Sequence, residues 1–120
     1  MAGTPDHPIA ISPAALRVRV RFAGHTVAES ANALSLREAS YPRVPYVPRE
    51  DVDMTVLVRS DHKTRCPYKG DASSYSICVD GKTSQDAIWS YEQPPADVAQ
   101  IAGHMAFYPN RVDTIEELPV

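Results

Sequence analysis

The sequence predicts a mainly β domain, either a compact antiparallel β-sandwich or a partly open barrel, with one short helix near the C-terminus. Residues 17–22 alternate arginine with valine or phenylalanine, which is the period of a strand with one buried face. Asp80-Gly81 is a strong signal for a two-residue hairpin turn. The helix is expected near residues 96–104, where apolar residues between 98 and 105 recur with helical spacing. Strand-like segments outnumber this single helical pattern, which argues against a doubly wound α/β fold.

The N-terminal residues differ from the rest of the chain. Residues 1–15 contain three prolines and no hydrophobic period, so we expect a flexible or extended leader there. Residues 16–120 have the length of one ordinary domain and enough apolar residues for a single core. The predicted organisation is therefore one β domain that follows a short leader.

Three strands are expected in the first half of the domain. The strand at 17–22 should turn near Gly24-His25 and continue as a second strand at 26–30. A short strand is expected at 33–38, although its residue types would also suit a helix. The proline-rich stretch at 41–51 cannot be a helix or a central strand, so it is predicted to be a stiff, extended connection.

The second half is predicted to hold a long loop between strands. A strand is expected at 54–58, and the polar stretch at 60–75 is typical of a loop that is either functional or loosely held. Residues 74–79 then form a strand that returns through the Asp80-Gly81 turn as a strand at 87–91. The segment after the predicted helix is expected to be short and buried.

Composition and charge exclude several classes of protein. The 12 basic residues are outnumbered by 15 acidic ones, and the net charge of −3 does not suit a nucleic-acid-binding domain. No apolar run is long enough to span a membrane, and the N-terminus does not have the pattern of a secretory signal. Two cysteines, Cys66 and Cys78, are too few for a disulfide framework. The predicted location is the cytoplasm, with both thiols reduced.

Signals for a metal or for catalysis are weak. The histidines and cysteines form no close pair of ligands, so neither a metal nor a cofactor is expected. Asp51 and Asp53 match a pattern that holds Mg²⁺ in nucleotidyl transfer, but the phosphate-binding glycine loop is missing. Cys66 is a candidate nucleophile because Arg65 and Lys69 lie near it and would lower its pKa. Its alternative role is that of a small buried apolar residue.

The strongest candidate site combines charged residues from irregular segments with aromatic residues from strands. Arg49 and Lys69 would suit a carboxylate or a phosphate group, and Glu38 is a candidate general base. The aromatic walls would come from Tyr46, Trp89 and Tyr91. This combination is how small-molecule sites are usually built. The alternative is that the aromatic residues belong to the core and that Arg49 and Glu38 form a buried structural ion pair.

Several motifs between residues 17 and 113 resemble the bacterial domain-of-unknown-function family 427. They are V-R-F-A-G (20–24), V-A-E-S (27–30), A-L-x-L-x-E (33–38), V-P-R-E-D-V (47–52), C-P-Y-K-G-D-A-S (66–73), W-S-Y (89–91) and I-A-G-H-M-A-F-Y (101–108). The resemblance implies a compact β fold, and it puts five residues in motif positions: Glu38, Arg49, Cys66, Lys69 and Tyr91. Such proteins are sometimes labelled nucleotidyltransferase-like, but the residues here supply no mechanism for that label. The turn after the first strand reads A-G-H, where the family more often has N-G or D-G.

Three functions remain open at this point. The leading one is a small β domain that binds a small anionic molecule, with enzymatic activity undecided. The second is a non-catalytic interaction module or homodimer whose aromatic residues are only core. The third is a nucleotidyltransferase, which would need Mg²⁺ between Asp51 and Asp53. No partnership with nucleic acid or membrane is expected.

Overall fold

The computed structural model describes residues 2–119, which contain eleven β-strands and four short 3₁₀ helices. The strands are β1 (Ala2–Thr4), β2 (His7–Pro13), β3 (Leu16–Phe22), β4 (His25–Ser30), β5 (Leu34–Glu38), β6 (Val44–Tyr46), β7 (Leu57–Cys66), β8 (Gly70–Val79), β9 (Lys82–Ser90), β10 (Ala106–Phe107) and β11 (Thr114–Pro119). The 3₁₀ helices are Arg49–Asp51, Met54–Val56, Ala96–Ile101 and Pro109–Arg111.

The strands form three antiparallel sheets with the orders β1-β2-β5-β6, β10-β9-β8-β7 and β11-β3-β4. An isolated bridge between Val47 and Met105 ties the segment after β6 to the segment before β10. The prediction of a mainly β, antiparallel fold is confirmed. Within the described part of the chain the sheets do not close into a barrel.

The hydrophobic core consists of two clusters. The first includes residues from β3, β4, β8 and β9, among them Val18, Val20, Val27, Ile77 and Ile88. The second includes Ile9, Leu36, Tyr46, Val98 and Ile101. The alternation at 17–22 follows from the first cluster, because its valines are buried while the intervening arginines are more exposed. The second cluster supports the candidate site.

The segment predicted as a leader forms a hairpin. β1 pairs with β2, and β2 pairs with β5. The Pro8 carbonyl accepts a hydrogen bond from the Ala39 amide at 2.8 Å. At Gly3 the φ angle is +81°, and a Cβ atom there would lie 2.2 Å from the His7 carbonyl oxygen. β2 is hard to identify in the sequence because Pro8 and Pro13 limit its alternation to the four residues 9–12.

The stretch at 60–75, predicted as a long loop, is instead a hairpin of β7 and β8. Arg65 lies opposite Asp71, and Cys66 lies opposite Gly70. β7 is an edge strand whose residues are mostly exposed, so its sequence lacks the apolar alternation of a half-buried strand. β6, inside the proline-rich stretch, is also an edge strand, as its prolines require.

The predicted C-terminal helix was wrong in type. Residues Ala96–Ile101 form a 3₁₀ helix with a kink at Val98, where φ is −124°. Its apolar side chains are still buried, as Val98 and Ile101 show, so the spacing identified the buried face but not the backbone. None of the helices in residues 2–119 has the length and apolar composition needed to cross a membrane. Strand β11 was not predicted, and it pairs with β3.

Two hairpin turns have the same backbone shape. The predicted Asp80-Gly81 turn is confirmed, with φ angles of 49° and 79° that suit a type I′ turn. The first hairpin turns at Ala23-Gly24, one residue earlier than predicted, with φ angles of 52° and 78°. Because alanine carries a Cβ atom, the left-handed conformation at Ala23 is strained.

Replacing Ala23 with asparagine should relieve this strain. Asparagine tolerates the left-handed region, so Ala23→Asn should stabilise the protein by about 0.5 kcal/mol. The measurement is the midpoint of urea unfolding, with Ala23→Val as a control that should be less stable than wild type. A lower midpoint for Ala23→Asn would contradict the strain assigned to this turn.

Candidate functional site

The candidate site is a pocket of about 260 Å³ between the sheet β1-β2-β5-β6 and the sheet β10-β9-β8-β7. We call it the central pocket, and it is lined by Leu36, Glu38, Tyr41, Pro42, Val44, Tyr46, Thr64, Lys69, Trp89, Tyr91 and Tyr108. The lining includes five of the seven residues that the sequence predicted for the site: Glu38, Tyr46, Lys69, Trp89 and Tyr91. The two predicted residues that do not line it are Arg49 and Cys66.

A buried ion pair forms one wall of the central pocket. Lys69 lies in the turn between β7 and β8, and its ammonium group donates a hydrogen bond to Glu38 Oε1. Glu38 is the last residue of β5, and its second oxygen, Oε2, lies 2.6 Å from His7 Nε2. The side chains of Lys69 and Glu38 are only 8% and 18% exposed. Both carboxylate oxygens are therefore occupied by protein groups.

Two opposing effects act on the pKa of Glu38. Burial raises this pKa, while hydrogen bonds from Lys69 and His7 and their positive charge lower it. The net effect is a pKa below the usual value for a glutamate. A carboxylate with a lowered pKa is a weaker proton acceptor, so the general-base role predicted for Glu38 has no support in this geometry.

His7 is a site residue that the sequence did not predict. It belongs to β2, inside the segment expected to be a leader, and its ring stacks on Tyr68 with centroids 4.2 Å apart and an interplanar angle of 6°. The stack fixes the imidazole beside Glu38. No local pattern around His7 indicates this role, because it depends on β2 pairing with β5.

Aromatic side chains form the opposite wall. The Trp89 Nε1–H group donates a hydrogen bond to Tyr46 Oη at 3.1 Å. The centroids of the Trp89 and Tyr108 rings are 4.5 Å apart. Tyr46 is 1% exposed, and burial raises its pKa far above the usual value for tyrosine. The hydroxyl group of Tyr46 therefore stays protonated at neutral pH. This wall is rigid and uncharged.

Tyr91 connects the aromatic wall to the ion pair. The Lys69 Nζ atom lies 5.6 Å from the centroid of the Tyr91 ring, which is within the range of a cation–π interaction. Burial also raises the pKa of Tyr91. The ammonium group thus has an anionic neighbour, Glu38, and an aromatic neighbour, Tyr91.

Arg49 lies outside the central pocket, contrary to the predicted pairing with Lys69. Its Nη1 atom is 3.4 Å from Tyr75 Oη and 3.7 Å from Glu92 Oε2. The chain passes from β6 through Pro48 into the 3₁₀ helix that Arg49 begins, and this turn takes Arg49 away from the pocket. The alternative ion pair between Arg49 and Glu38 is also wrong, because Glu38 pairs with Lys69 and His7.

Cys66 is half-buried and packs against the second core cluster. It does not line the central pocket, so its predicted role as a nucleophile for a molecule bound there has no geometric support. Its position suits the alternative role, that of a small apolar residue.

Asp51 and Asp53 are engaged by protein donors. The Asp51 carboxylate accepts a hydrogen bond from Ser30 Oγ at 2.6 Å. The Asp53 carboxylate contacts His25 Nε2 at 2.8 Å and accepts a hydrogen bond from the backbone N–H of Thr55. Within residues 2–119, no three His, Cys, Asp or Glu side chains converge in a way that could hold a metal ion.

Replacing Glu38 with glutamine should destabilise the protein most at neutral pH. Loss of the carboxylate leaves the buried Lys69 ammonium without its counter-charge, which costs about 3 kcal/mol. Because the pKa of Glu38 is lower in the folded state, its stabilising effect is complete above the unfolded pKa and is lost as the pH falls through the folded one.

The difference in urea midpoint between wild type and Glu38→Gln should therefore be larger at pH 7 than at pH 3. Glu50→Gln is the control, since Glu50 is exposed and its replacement should change the midpoint little at either pH. A difference for Glu38→Gln that stays constant with pH would contradict the lowered pKa.

Comparison with known proteins agrees with the motifs in the sequence. No curated protein matches this chain. A family model described as "Domain of unknown function (DUF427)" matches residues 10–118, which include every residue that lines the central pocket. The match covers nearly the whole chain, and the chain therefore belongs to the DUF427 family.

Proposed function

We propose that this protein binds a small molecule in the central pocket, and that the ligand carries one carboxylate group on a flat, apolar body. The observation that carries the proposal is the buried ammonium group of Lys69 in the pocket wall. Lys69 is 6% exposed, and a buried charge is costly unless it is paired and hydrogen-bonded.

The ammonium group has hydrogen bonds left to donate. A lysine ammonium carries three N–H donors, and among residues 2–119 Lys69 donates a hydrogen bond to one acceptor, Glu38 Oε1. Tyr91 offers a ring face, which is a weaker partner than an oxygen atom. An anionic oxygen of a bound ligand would accept hydrogen bonds from the remaining N–H groups, because Lys69 lines the pocket.

The charges of Lys69, Glu38 and His7 allow the site to bind a second anion. Glu38 already balances the charge of Lys69, so a bound carboxylate needs further positive potential. His7 contacts the second oxygen of Glu38 at 2.6 Å and, when protonated, gives the group of three a net positive charge. One carboxylate would then balance the charge of the site.

The volume and the wall residues of the pocket indicate the size of the ligand and the character of its apolar body. Drug-sized ligands occupy pockets of about 300–1,000 Å³, whereas the central pocket measures about 260 Å³. A molecule the size of one substituted ring is therefore the best fit. Trp89, Tyr91 and Tyr108 offer ring faces for stacking, which favours an aromatic body.

The geometry favours binding over the other functions. Of the two residues predicted for catalysis, Glu38 has a partner on each carboxylate oxygen, Lys69 and His7, and Cys66 does not line the central pocket. A nucleotidyltransferase would need Asp51 and Asp53 free for Mg²⁺, and both already accept hydrogen bonds from the protein. We therefore assign the central pocket a binding role.

The edge of the sheet does not favour a homodimer. β7 is an edge strand with an exposed apolar residue, Val58. Its register shifts between Arg59 and Lys63, and it is rich in charged side chains. Bulges and charges on an edge strand oppose pairing with another copy. An interaction module built on this edge therefore has less support than the central pocket.

Benzoate is a direct probe of the proposal. Trp89 is the single tryptophan of the chain and lines the central pocket, so its fluorescence should change when benzoate binds. Benzamide, which has the same shape without the charge, should bind more weakly by about tenfold. Equal affinity for the two compounds, or no change in fluorescence with either, would contradict the proposal.

Variants should assign the preference for charge to Lys69. Lys69→Met alone would leave Glu38 buried without its partner, so the double variant Glu38→Gln/Lys69→Met is preferred because it removes both charges together. It should lose the preference for benzoate over benzamide. Lys63→Met, a lysine variant outside the central pocket, should keep the preference. Loss of the preference in Lys63→Met alone would also contradict the proposal.

A further inference from the structure

A second concave region lies along β7 and β8, away from the central pocket. It is a polar groove of about 500 Å³ lined by Arg59, Lys63, Asp71, Ser73, Glu92 and Gln93. Arg49 adjoins it through its contact with Glu92. We call this region, including Arg49, the arginine groove. It has no part in the proposed binding of a carboxylate.

Two guanidinium groups converge in the arginine groove. The Nη1 atoms of Arg49 and Arg59 each lie 3.4 Å from the Tyr75 hydroxyl oxygen, so they are within twice that distance of each other. Both groups also contact the Tyr75 ring, at 5.9 and 5.8 Å from its centroid. Tyr75 is 3% exposed and provides a fixed support for both side chains.

One carboxylate serves both arginines. Glu92 Oε1 lies 2.7 Å from Arg59 Nη2, and Glu92 Oε2 lies 3.7 Å from Arg49 Nη1. Ser73 helps to fix this arrangement, since its hydroxyl group accepts a hydrogen bond from Arg59 and donates one to Glu92 at 2.8 Å. Two positive charges therefore meet a single negative charge at a preorganised point.

The surroundings add positive charge. Lys63 lies opposite Ser73 in the pairing of β7 with β8 and lines the groove. Asp71, the other acid of the lining, is already paired with Arg65 at 2.9 Å. The groove thus has an excess of positive charge, although the chain as a whole has a net charge of −3.

The guanidinium groups are accessible to a ligand. The side chains of Arg49 and Arg59 are 48% and 52% exposed, so they can donate hydrogen bonds to a molecule from solution. Arginine presents its donors in a planar fork that matches the oxygens of a phosphate group. A phosphate monoester carries about 1.5 to 2 negative charges at neutral pH, which would balance the excess on Arg49, Arg59 and Lys63.

We propose that the arginine groove is a second binding site, which takes a phosphoryl group beside Glu92, on the solvent-exposed sides of Arg49 and Arg59, with Lys63 as a third contact. Tyr75 and Ser73 are positioning residues, because they hold the arginines and the carboxylate of Glu92 in place. The site is separate from the central pocket, and it does not depend on the proposed function of that pocket.

The test is a titration at low ionic strength with inorganic phosphate, followed by the amide signals of β7 and β8 in ¹H–¹⁵N NMR spectra. Signals around Lys63 and Ser73 should shift and saturate. Arg59→Met and Arg49→Met should each weaken binding about tenfold. Both replacements are at half-exposed side chains and keep an apolar stem, and each serves as a check on the other if one variant is unstable.

Arg17→Met is the matched control, since Arg17 is an exposed arginine paired with Glu29 in another sheet. It should bind phosphate as wild type does. A parallel titration with glycerol phosphate separates the two sources of the group: tighter binding of the ester indicates an organic phosphate, and equal binding indicates the free ion. Absence of saturable shifts, or equal weakening in Arg17→Met, would overturn the proposal.

The two sites can be distinguished by crossing the experiments. Arg59→Met should leave the fluorescence response to benzoate unchanged, and Glu38→Gln/Lys69→Met should leave phosphate binding unchanged. If Glu38→Gln/Lys69→Met folds but loses phosphate binding, phosphate occupies the central pocket and the arginine groove is not the site.

Discussion

The buried contact between Lys69 and Glu38 is the interaction on which the central pocket depends. It joins the end of β5 to the turn between β7 and β8, and therefore links two sheets that share few other polar contacts in the described chain. Removing two charges from water is expensive, and the attraction between them offsets this cost only when the geometry is good. Removing one partner of such a pair is costly, because the other charge is then left buried without compensation.

His7 and Tyr91 complete the environment of the pair. His7 occupies the second oxygen of Glu38 and is held by its stack on Tyr68, while Tyr91 covers the ammonium group. The N-terminal hairpin is therefore part of the site and not an appendage. Without β2, Glu38 would lose its second partner, His7.

Strand alternation explains how one hairpin lines both the central pocket and the arginine groove. Lys63 and Thr64 are neighbours in β7, so their side chains leave the sheet on opposite faces. Thr64 lines the central pocket and Lys63 lines the arginine groove. The neighbouring residues Tyr91 and Glu92, just after β9, are divided in the same way. A change in register of one residue would exchange the two linings, so the bulge in β7 matters to both sites.

The features that the sequence predicted well depend on local rules. The alternation at 17–22 and the Asp80-Gly81 turn are each decided by a few adjacent residues. The hairpin at 60–75 was missed because an exposed edge strand needs no apolar face, and β2 was missed because of its prolines. β7 pairs with its neighbour in sequence, β8, whereas β2 also pairs with the distant β5, so only the second error concerns a distant partner.

For the candidate site, the residue types could be predicted from the sequence, but their positions relative to one another could not. Residue chemistry selected Lys69, Glu38 and three aromatic residues because aromatic rings beside charged groups are typical of binding sites, and the fold brings these residues to one pocket. Residue chemistry was not enough to separate Arg49 from Lys69, since their relative positions depend on how the sheets meet. The sequence identifies the cationic side chains, but the tertiary structure determines which carboxylate each of them pairs with.

The partners that the fold gives to Glu38 also determine the chemistry available to its carboxylate. A glutamate that meets one cation and faces a pocket could accept a proton, but Glu38 meets Lys69 and His7 on separate oxygens. Its lowered pKa means that the carboxylate holds its charge and orients its partners. The free capacity of the site therefore lies on Lys69, whose ammonium group has donors to spare. The proposed binding of a carboxylate rests on these donors, and not on the charge of Glu38.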